Sequence, residues 1–560
     1  MKDHVKVFAL GGLDEFGKNC YVVSINGDLF IIECGALLPD KSTPGIDYII
    51  PNSNWLIENK DNIKAYIICH GHDDEIGALP YFYQNCPAPV YCTKITKSFI
   101  VNFCAHINVN VNIDFKEIEP TSTHKISGHV VHFIQTCHSA PGSFGVAIET
   151  DLGNVVFFSD FIVEYNTPKS YTYDLNALGV VAEKNTLLLM CESTYADRLG
   201  YTSPHHRVTP LIEHIFTNDA EGRIFIAVPT PNIYNIDEII QLCIHTNRKL
   251  CAYDLETELL IKRGQEVGEL ALPLRNTLSL ADINRVRDQE VVFLMTGYGH
   301  KLYKKIIALA KDLHEEKRIS LKDSDYFIIA APASSRNEII ATDALDEIYR
   351  SGVNVRNLSG KELYKMHASE QDIQSLISIL KPKYYFPIKG DYKHLLANAM
   401  MVSSLGQRLS HQNIFVLDNG MVLDIKESGA TVLPESQSVP VGDVLIDGLG
   451  IGENTTGILG ARNKLGSEGI CVISLGLSKA MHKILTNIDI EFRGFSCRRD
   501  LIGLKKDITK FVESIVETFL EEPDFEIIQL KTSLAEQISR FIRKDVGKQP
   551  VVYPIVELLD

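Results

Sequence analysis

The chain has 560 residues, enough for roughly three to four domains at ~150 residues each. Hydrophobic residues make up 45% and charged residues 22%, which is globular composition and excludes a disordered tail. The net charge is −16, from 55 Lys and Arg against 71 Asp and Glu. That excludes a uniformly basic nucleic-acid binder but leaves room for a local basic channel.

In chain order, Met1-Lys2-Asp3-His4-Val5-Lys6 shows no apolar core of a secretory signal. No apolar run approaches the ~18 residues of a membrane span. The expectation is a cytoplasmic protein with no membrane partner. The twelve cysteines are scattered without a C-x-x-C pair and read as reduced thiols. Val5–Leu10, Asn19–Ile25, Leu29–Cys34 and Ala65–Cys69 are predicted strands, separated by Gly11-Gly12, Asn26-Gly27-Asp28 and Gly35. After His70-Gly71-His72-Asp73-Asp74-Glu75 a helical stretch is expected through Gln84. Strands return at Val130–Gln135, Gly145–Glu149 and Val155–Phe158. From about Ser203 the pattern becomes that of an inserted doubly wound α/β module, with helices at Pro210–Phe216, Ile236–Thr246 and Leu302–Lys311. Its buried parallel strands are Arg223–Pro229, Val291–Met295 and Tyr326–Ala331. Strands are expected again at Lys383–Ile388 and Ile414–Asn419. Residues 426–440 then read as a linker, and a small α+β domain with helices at Asp507–Glu522 and Ser533–Lys544 closes the chain.

The chemistry concentrates at strand ends. His70-Gly71-His72-Asp73-Asp74-Glu75 directly follows a strand, so two imidazoles lie side by side and Asp74 adds an oxygen donor. Imidazole with carboxylate suits Zn or Mn. His138 opens His-Ser-Ala-Pro-Gly-Ser after a second strand, and Asp160 closes Val-Val-Phe-Phe-Ser-Asp after a third. The order His-x-His-x-Asp, His, Asp is far more specific than any one of these residues.

Together these motifs resemble the metallo-β-lactamase-fold nucleases of the β-CASP group, and within them the ribonuclease J family. The resemblance runs through Leu10-Gly11-Gly12-Leu13-Asp14-Glu15-Phe16-Gly17-Lys18-Asn19, the His70–Pro80 loop, His138-Ser139-x-Pro141-x-Ser143 and Asp160-Phe161. It continues through Glu192-Ser193-Thr194-x-Ala196, Asp447-Gly448-x-Gly450-x-Gly452 and Arg493-Gly494-Phe495. It implies an α/β protein, a metallo-β-lactamase αββα sandwich with an inserted β-CASP domain. The implied division is residues 1–203 and 367–426 for the sandwich, 204–366 for the insert, 427–440 for a linker and 441–560 for an α+β C-terminal domain. The implied activity is two-metal phosphodiester hydrolysis of RNA, 5′-to-3′ exonucleolytic and endonucleolytic. His70, His72, Asp74, His138 and Asp160 would be metal ligands. Asp74 and Glu192 would be catalytic, and His367, Ala368, Ser369, Glu370 and Gln371 would contact substrate.

Three family histidines are replaced. The family's His-x-His-x-Asp-His ends here in Glu75. Its His-x-Ser-Gly-His resembles His367-Ala368-Ser369-Glu370-Gln371, which puts Gln371 at the general-acid position. Its Pro-x-His-Gly resembles Pro387-Ile388-Lys389-Gly390, which puts Lys389 at a ligand position. A protonated lysine has no lone pair, and glutamine transfers no proton at neutral pH. On this reading Glu192 orients nothing titratable, and Lys389 offsets Asp74, Glu75 and Asp160 where a second metal would sit. The expectation is at most one Zn or Mn per chain and weak or absent hydrolysis, as in the degenerate second ribonuclease J paralogue of Gram-positive bacteria. Such a chain would bind RNA as the partner of an active paralogue, in a homodimer or heteromer. The alternatives are a fully active 5′-to-3′ exoribonuclease with an unusual ligand set, and a small-molecule hydrolase on the same fold. The inserted module counts against the latter. Gly448-x-Gly450-x-Gly452 reads as a turn, Thr296-Gly297-Tyr298-Gly299 as either a strand-to-helix turn or a phosphate-facing loop, and His205-His206 as surface or hinge residues.

Overall fold

Alternating apolar residues make two sheets that face each other across one core. Val7, Tyr21, Phe30 and Ile67 of one sheet pack with Phe133, Val146, Phe157, Met190 and Phe386 of the other, all buried. The computed structural model describes residues 2–39, 43–219, 221–314, 316, 318–334, 337–406, 409–448, 450–452, 455–522 and 525–559. They form two units, Met1–Leu38 with Tyr48–Val444, and Pro39–Asp47 with Leu445–Asp560.

In the first unit, the described residues of one sheet run in the order Gly429–Val432, Leu423–Lys426, Val5–Gly11, Cys20–Ile25, Asp28–Ile32, Ile63–Ile67, Val90–Cys92, Phe115–Glu117. The facing sheet runs Tyr384–Ile388, Thr186–Glu192, Asn154–Phe158, Phe144–Ile148, His129–Gln135, Thr123–Ile126. Helices cover both outer faces. Leu178 and Val181 of Leu175–Glu183, with Ile373, Leu376 and Ile377 of Glu370–Leu380, pack on Val156, Phe158 and Leu189. On the other side Phe8 meets Trp55 of Asn54–Glu58 edge-on at 5.0 Å. The result is the expected αββα sandwich.

The inserted module is a third sheet, ordered Thr277–Leu278, Lys249–Ala252, Val291–Gly297, Ile224–Pro229, Tyr326–Ile329, Asn354–Asn357, with every pairing parallel. Its central strands Ile224–Pro229 and Val291–Gly297 are buried on both faces, which explains why they read as continuous apolar runs. In the second unit, Leu504, Ile508, Val512 and Val516 mark an i, i+4 seam on the helix Leu501–Leu520. Leu530, Leu534, Ile538 and Ile542 do the same on Ile527–Val546. Both helices pack on the strand Ile470–Ser478, which pairs in parallel with Val551–Leu558.

Some local expectations change. The stretch through Gln84 is two short helices, Asp73–Ile76 and Leu79–Asn85. Ile414–Asn419 is not a strand and makes only an isolated bridge from Ile414 to Tyr385. Residues 427–440 are no free tether, because Gly429–Val432 turns back on Leu423–Lys426 as a hairpin at the edge of the first sheet. Gly448 lies in the turn of a hairpin that pairs Asp447 with Gly450; residues 449, 453 and 454 fall outside the described residues. Thr296-Gly297-Tyr298-Gly299 joins the strand Val291–Gly297 to the helix Gly299–Ala310.

Candidate metal centre

Every predicted ligand follows the end of a strand or begins the element after it. His70 and His72 come after Ile63–Ile67, His138 after His129–Gln135, Asp160 after Asn154–Phe158 and Lys389 after Tyr384–Ile388. Asp160 and Lys389 adopt φ of 49° and 57°, the left-handed region that non-glycine residues rarely occupy. Such backbone is held only where the surroundings over-determine it, and it clusters at functional sites. The Asp73–Ile76 turn docks through its carbonyls on the amides of Asn19, Cys34 and Ala36. Gly35 lies so close beneath it that a Cβ there would fall 1.5 Å from the Asp74 carbonyl oxygen.

One half of the centre is a cluster of lone pairs. His70 Nε2 lies 3.0 Å from His72 Nδ1 and 3.3 Å from Asp160 Oδ2. His138 Nε2 lies 3.4 Å from His72 Nδ1 and 3.5 Å from Asp160 Oδ2. Donors around a tetrahedral ion with ~2.0–2.1 Å bonds lie about 3.3–3.4 Å apart, and these four separations lie near that spacing. Their tautomers are fixed from behind. His72 Nε2–H donates to the Pro231 carbonyl at 3.1 Å, and His138 Nδ1–H to the Met366 carbonyl at 2.7 Å. Burial keeps both rings neutral, with His72 lowered to about 3 by burial and then by His70, and His138 lowered well below the histidine range by burial. These residues fit a tetrahedral ion of the zinc class.

The other half does not fit a metal. Lys389 Nζ lies 2.6 Å from Asp160 Oδ2, 2.7 Å from Glu75 Oε1 and 3.1 Å from Asp74 Oδ2, with its side chain 4% exposed. Burial alone would strip its proton, but Asp160, Asp74 and Glu75 hold it well above the usual lysine value. Burial likewise opposes the charge on Asp160 and Asp74, and the ammonium overcomes it, holding both carboxyls low. Glu75 goes the other way, raised by burial and by Asp74. Asn19 Nδ2 ties the two carboxylates together, donating to Glu75 Oε1 at 2.9 Å and Asp74 Oδ2 at 3.3 Å. Asn19 closes the Leu10–Asn19 motif, yet that motif alone did not point to a role in this site.

The substrate-side residues separate. Glu192 does orient a titratable group, contrary to the expectation from Gln371. Its Oε2 accepts from His367 Nδ1 at 2.9 Å, while Oε1 accepts the amides of Phe161 and Ala368 at 2.8 and 3.3 Å. Burial disfavours the imidazolium, but Glu192 and then Asp160 outweigh it and raise His367 to about 9. Gln371 is exposed on the first turn of Glu370–Leu380. Ser369 is fully buried, its Oγ 2.7 Å from Thr202 Oγ1, and it caps that helix in a box with Asp372. Glu370 accepts from Gln374 Nε2 at 2.8 Å. Beside this loop Arg198 lies between the rings of Tyr195 and Tyr364, 3.9 Å from each centroid, an arrangement no sequence motif announced.

Comparison with known proteins agrees with this architecture. Residues 13–193 match the metallo-beta-lactamase superfamily, 221–348 the ribonuclease J beta-CASP domain and 457–558 the ribonuclease J C-terminal domain. Ribonuclease J2 of Bacillus subtilis (strain 168) is 28% identical over 554 residues, covering 99% of this chain and 98% of that protein. Ribonuclease J 2 of Staphylococcus aureus (strain NCTC 8325 / PS 47) is 25% identical over 552 residues, covering 99% and 98%. A crystal structure of a protein of unknown function from Enterococcus faecalis V583 shares the fold, with TM-score 0.50 and 14% identity over 77% of this chain and 100% of that one.

Proposed function

The chain belongs to the ribonuclease J family, and from that premise we propose that it serves mRNA decay and rRNA maturation as a weakly active or inactive subunit beside an active ribonuclease J paralogue. The observation that carries this reading is Lys389. Its ammonium bridges Asp74, Glu75 and Asp160 where the family's second metal would be held. Two-metal hydrolysis needs an ion on each side of the reacting phosphate, and an ammonium supplies neither an activated water nor a Lewis acid. The exposed side chain of Gln371 removes the family's proton donor as well, a loss worth ~10²–10⁴ in rate.

The four donors of the first position suit one Zn or Mn. RNA is the substrate class the family implies, in the cytoplasm, with the chain in a homodimer or heteromer. One observation favours the alternative of an active exonuclease with an unusual ligand set: His367, held by Glu192, keeps a proton-carrying group beside Asp160.

The test is an exonuclease assay on 5′-monophosphorylated RNA with Mn²⁺, comparing wild type with a Glu75→His, Gln371→His, Lys389→His variant. The proposal expects wild type at background and gain of turnover in the variant. Wild-type turnover abolished by His70→Ala would overturn it. Affinity purification from cells should also bring down a ribonuclease J paralogue.

A further inference from the structure

We infer that the centre is a closed, structural one-ion site. A single tetrahedral divalent ion of the zinc class sits on His70, His72, His138 and Asp160, Lys389 serves as the fixed second cation, and the ion clamps the inserted module to the two-sheet core. The inference deepens the proposed function, resting on its view that the centre does not turn over RNA.

Three observations carry it. The first is closure. Catalytic zinc sites keep one position for water, whereas structural sites fill all four with protein. Here Asp160 Oδ2 lies 3.3 and 3.5 Å from the His70 and His138 nitrogens and completes the tetrahedron. Lys389 grips the same oxygen at 2.6 Å and holds it there.

The second is charge. Asp74, Glu75 and Asp160 set three carboxyl groups around the single ammonium of Lys389, at 3.1, 2.7 and 2.6 Å. A buried negative charge left without a partner is costly, so the carboxylates favour one ion, and the ammonium opposes a second.

The third is where the clamp leads. The rear nitrogens of His72 and His138 bond Pro231 and Met366, which belong to the insert and to its return into the sandwich. Next to His138, the Ser139 carbonyl accepts the amide of Tyr234 at 3.1 Å, on the helix Ile233–His245 that Pro231 precedes. Drawing the three rings onto one ion therefore fixes three hydrogen bonds between core and insert. Such partners behind metal-bound histidines set ring orientation, and the coupling acts in both directions.

The test uses the full-length chain, stripped with a chelator and titrated with Zn²⁺, read by thermal unfolding and by limited proteolysis of residues 200–235 and 360–370. One equivalent should raise Tm and protect both segments, with no further change at two equivalents. His138→Ala should abolish both responses. The Lys389→Met chain should gain more from zinc than wild type does, because the ammonium that grips Asp160 Oδ2 is then gone. A stripped chain whose Tm and cleavage pattern ignore zinc would overturn the inference. So would protection that needs two equivalents. Failure of the proposed function is separate, since it would show as RNA turnover whatever zinc does to Tm.

Discussion

The two halves of the centre are built alike and have different chemistry. Both stand at the ends of strands in the facing sheets, and both use Asp160. In one half three imidazoles converge on a common point, two of them kept neutral by burial and held by a carbonyl behind. In the other, three carboxylates close on an ammonium from the chain itself. A single side chain thus separates a site that calls for a cation from one that already contains it. Geometry alone does not make a metal site; the sign and lone pairs of the residue at the last corner decide it.

The largest effect should come from removing that corner. Lys389→Met keeps the stem and deletes the charge, leaving the buried carboxyls of Asp160 and Glu75 and the partly exposed Asp74 without their ammonium. A loss of about 3–5 kcal/mol is expected in urea denaturation. A near-neutral result would mean that the acidic half is solvated and that the contrast between halves is false.

His206 gives a comparison outside the centre. It is fully buried, and among the described residues both ring nitrogens lack hydrogen-bond partners. Burial lowers it from 6.5 to about 4. The unfolded chain therefore takes up the proton first as pH falls. The contribution to stability is complete above about pH 6.5 and is lost as pH drops toward 4, amounting to about 3 kcal/mol. His206→Phe should flatten that part of the stability-against-pH curve. An unchanged slope would assign it to other groups.

Glu192→Gln weakens the charged bond to His367 but keeps the acceptor for the amides of Phe161 and Ala368. About 2 kcal/mol is expected, together with an NMR-detected fall in the His367 titration point. If the titration point stays near 9, Asp160 rather than Glu192 governs that ring. The smallest effect is Ser369→Ala, about 1 kcal/mol for a lost helix cap, with RNA affinity unchanged. A fall in RNA affinity without a fall in stability would restore Ser369 as a substrate contact.

The sequence made the candidate cluster of His70, His72, His138 and Asp160 legible because each residue follows a strand end, where the apolar run marks the boundary and the motif names the position. Lys389 could be placed for the same reason, and for its stark change of charge. The parallel insert was legible from the continuous apolar runs of Ile224–Pro229 and Val291–Gly297. What escaped depended on contacts far apart in the chain. The Glu192–His367 pair spans 175 positions, and the bond from His138 to the Met366 carbonyl spans 228. No local pattern encodes which of two candidates, His367 or Gln371, turns inward. His206 looked like a surface or hinge residue because its polarity outweighed any sign that Tyr234 would pack against it. The hairpin at 429–432 was hidden by the turn-forming Ser428, Gly429 and Pro434 around it, and only pairing with Leu423–Lys426 makes it a strand.

The most direct test of the central claim is the metal content of the purified full-length chain, measured by native mass spectrometry beside elemental analysis. The account predicts one transition-metal ion per wild-type chain and two in the Glu75→His, Lys389→His variant. Two tightly bound ions in the wild type would contradict it.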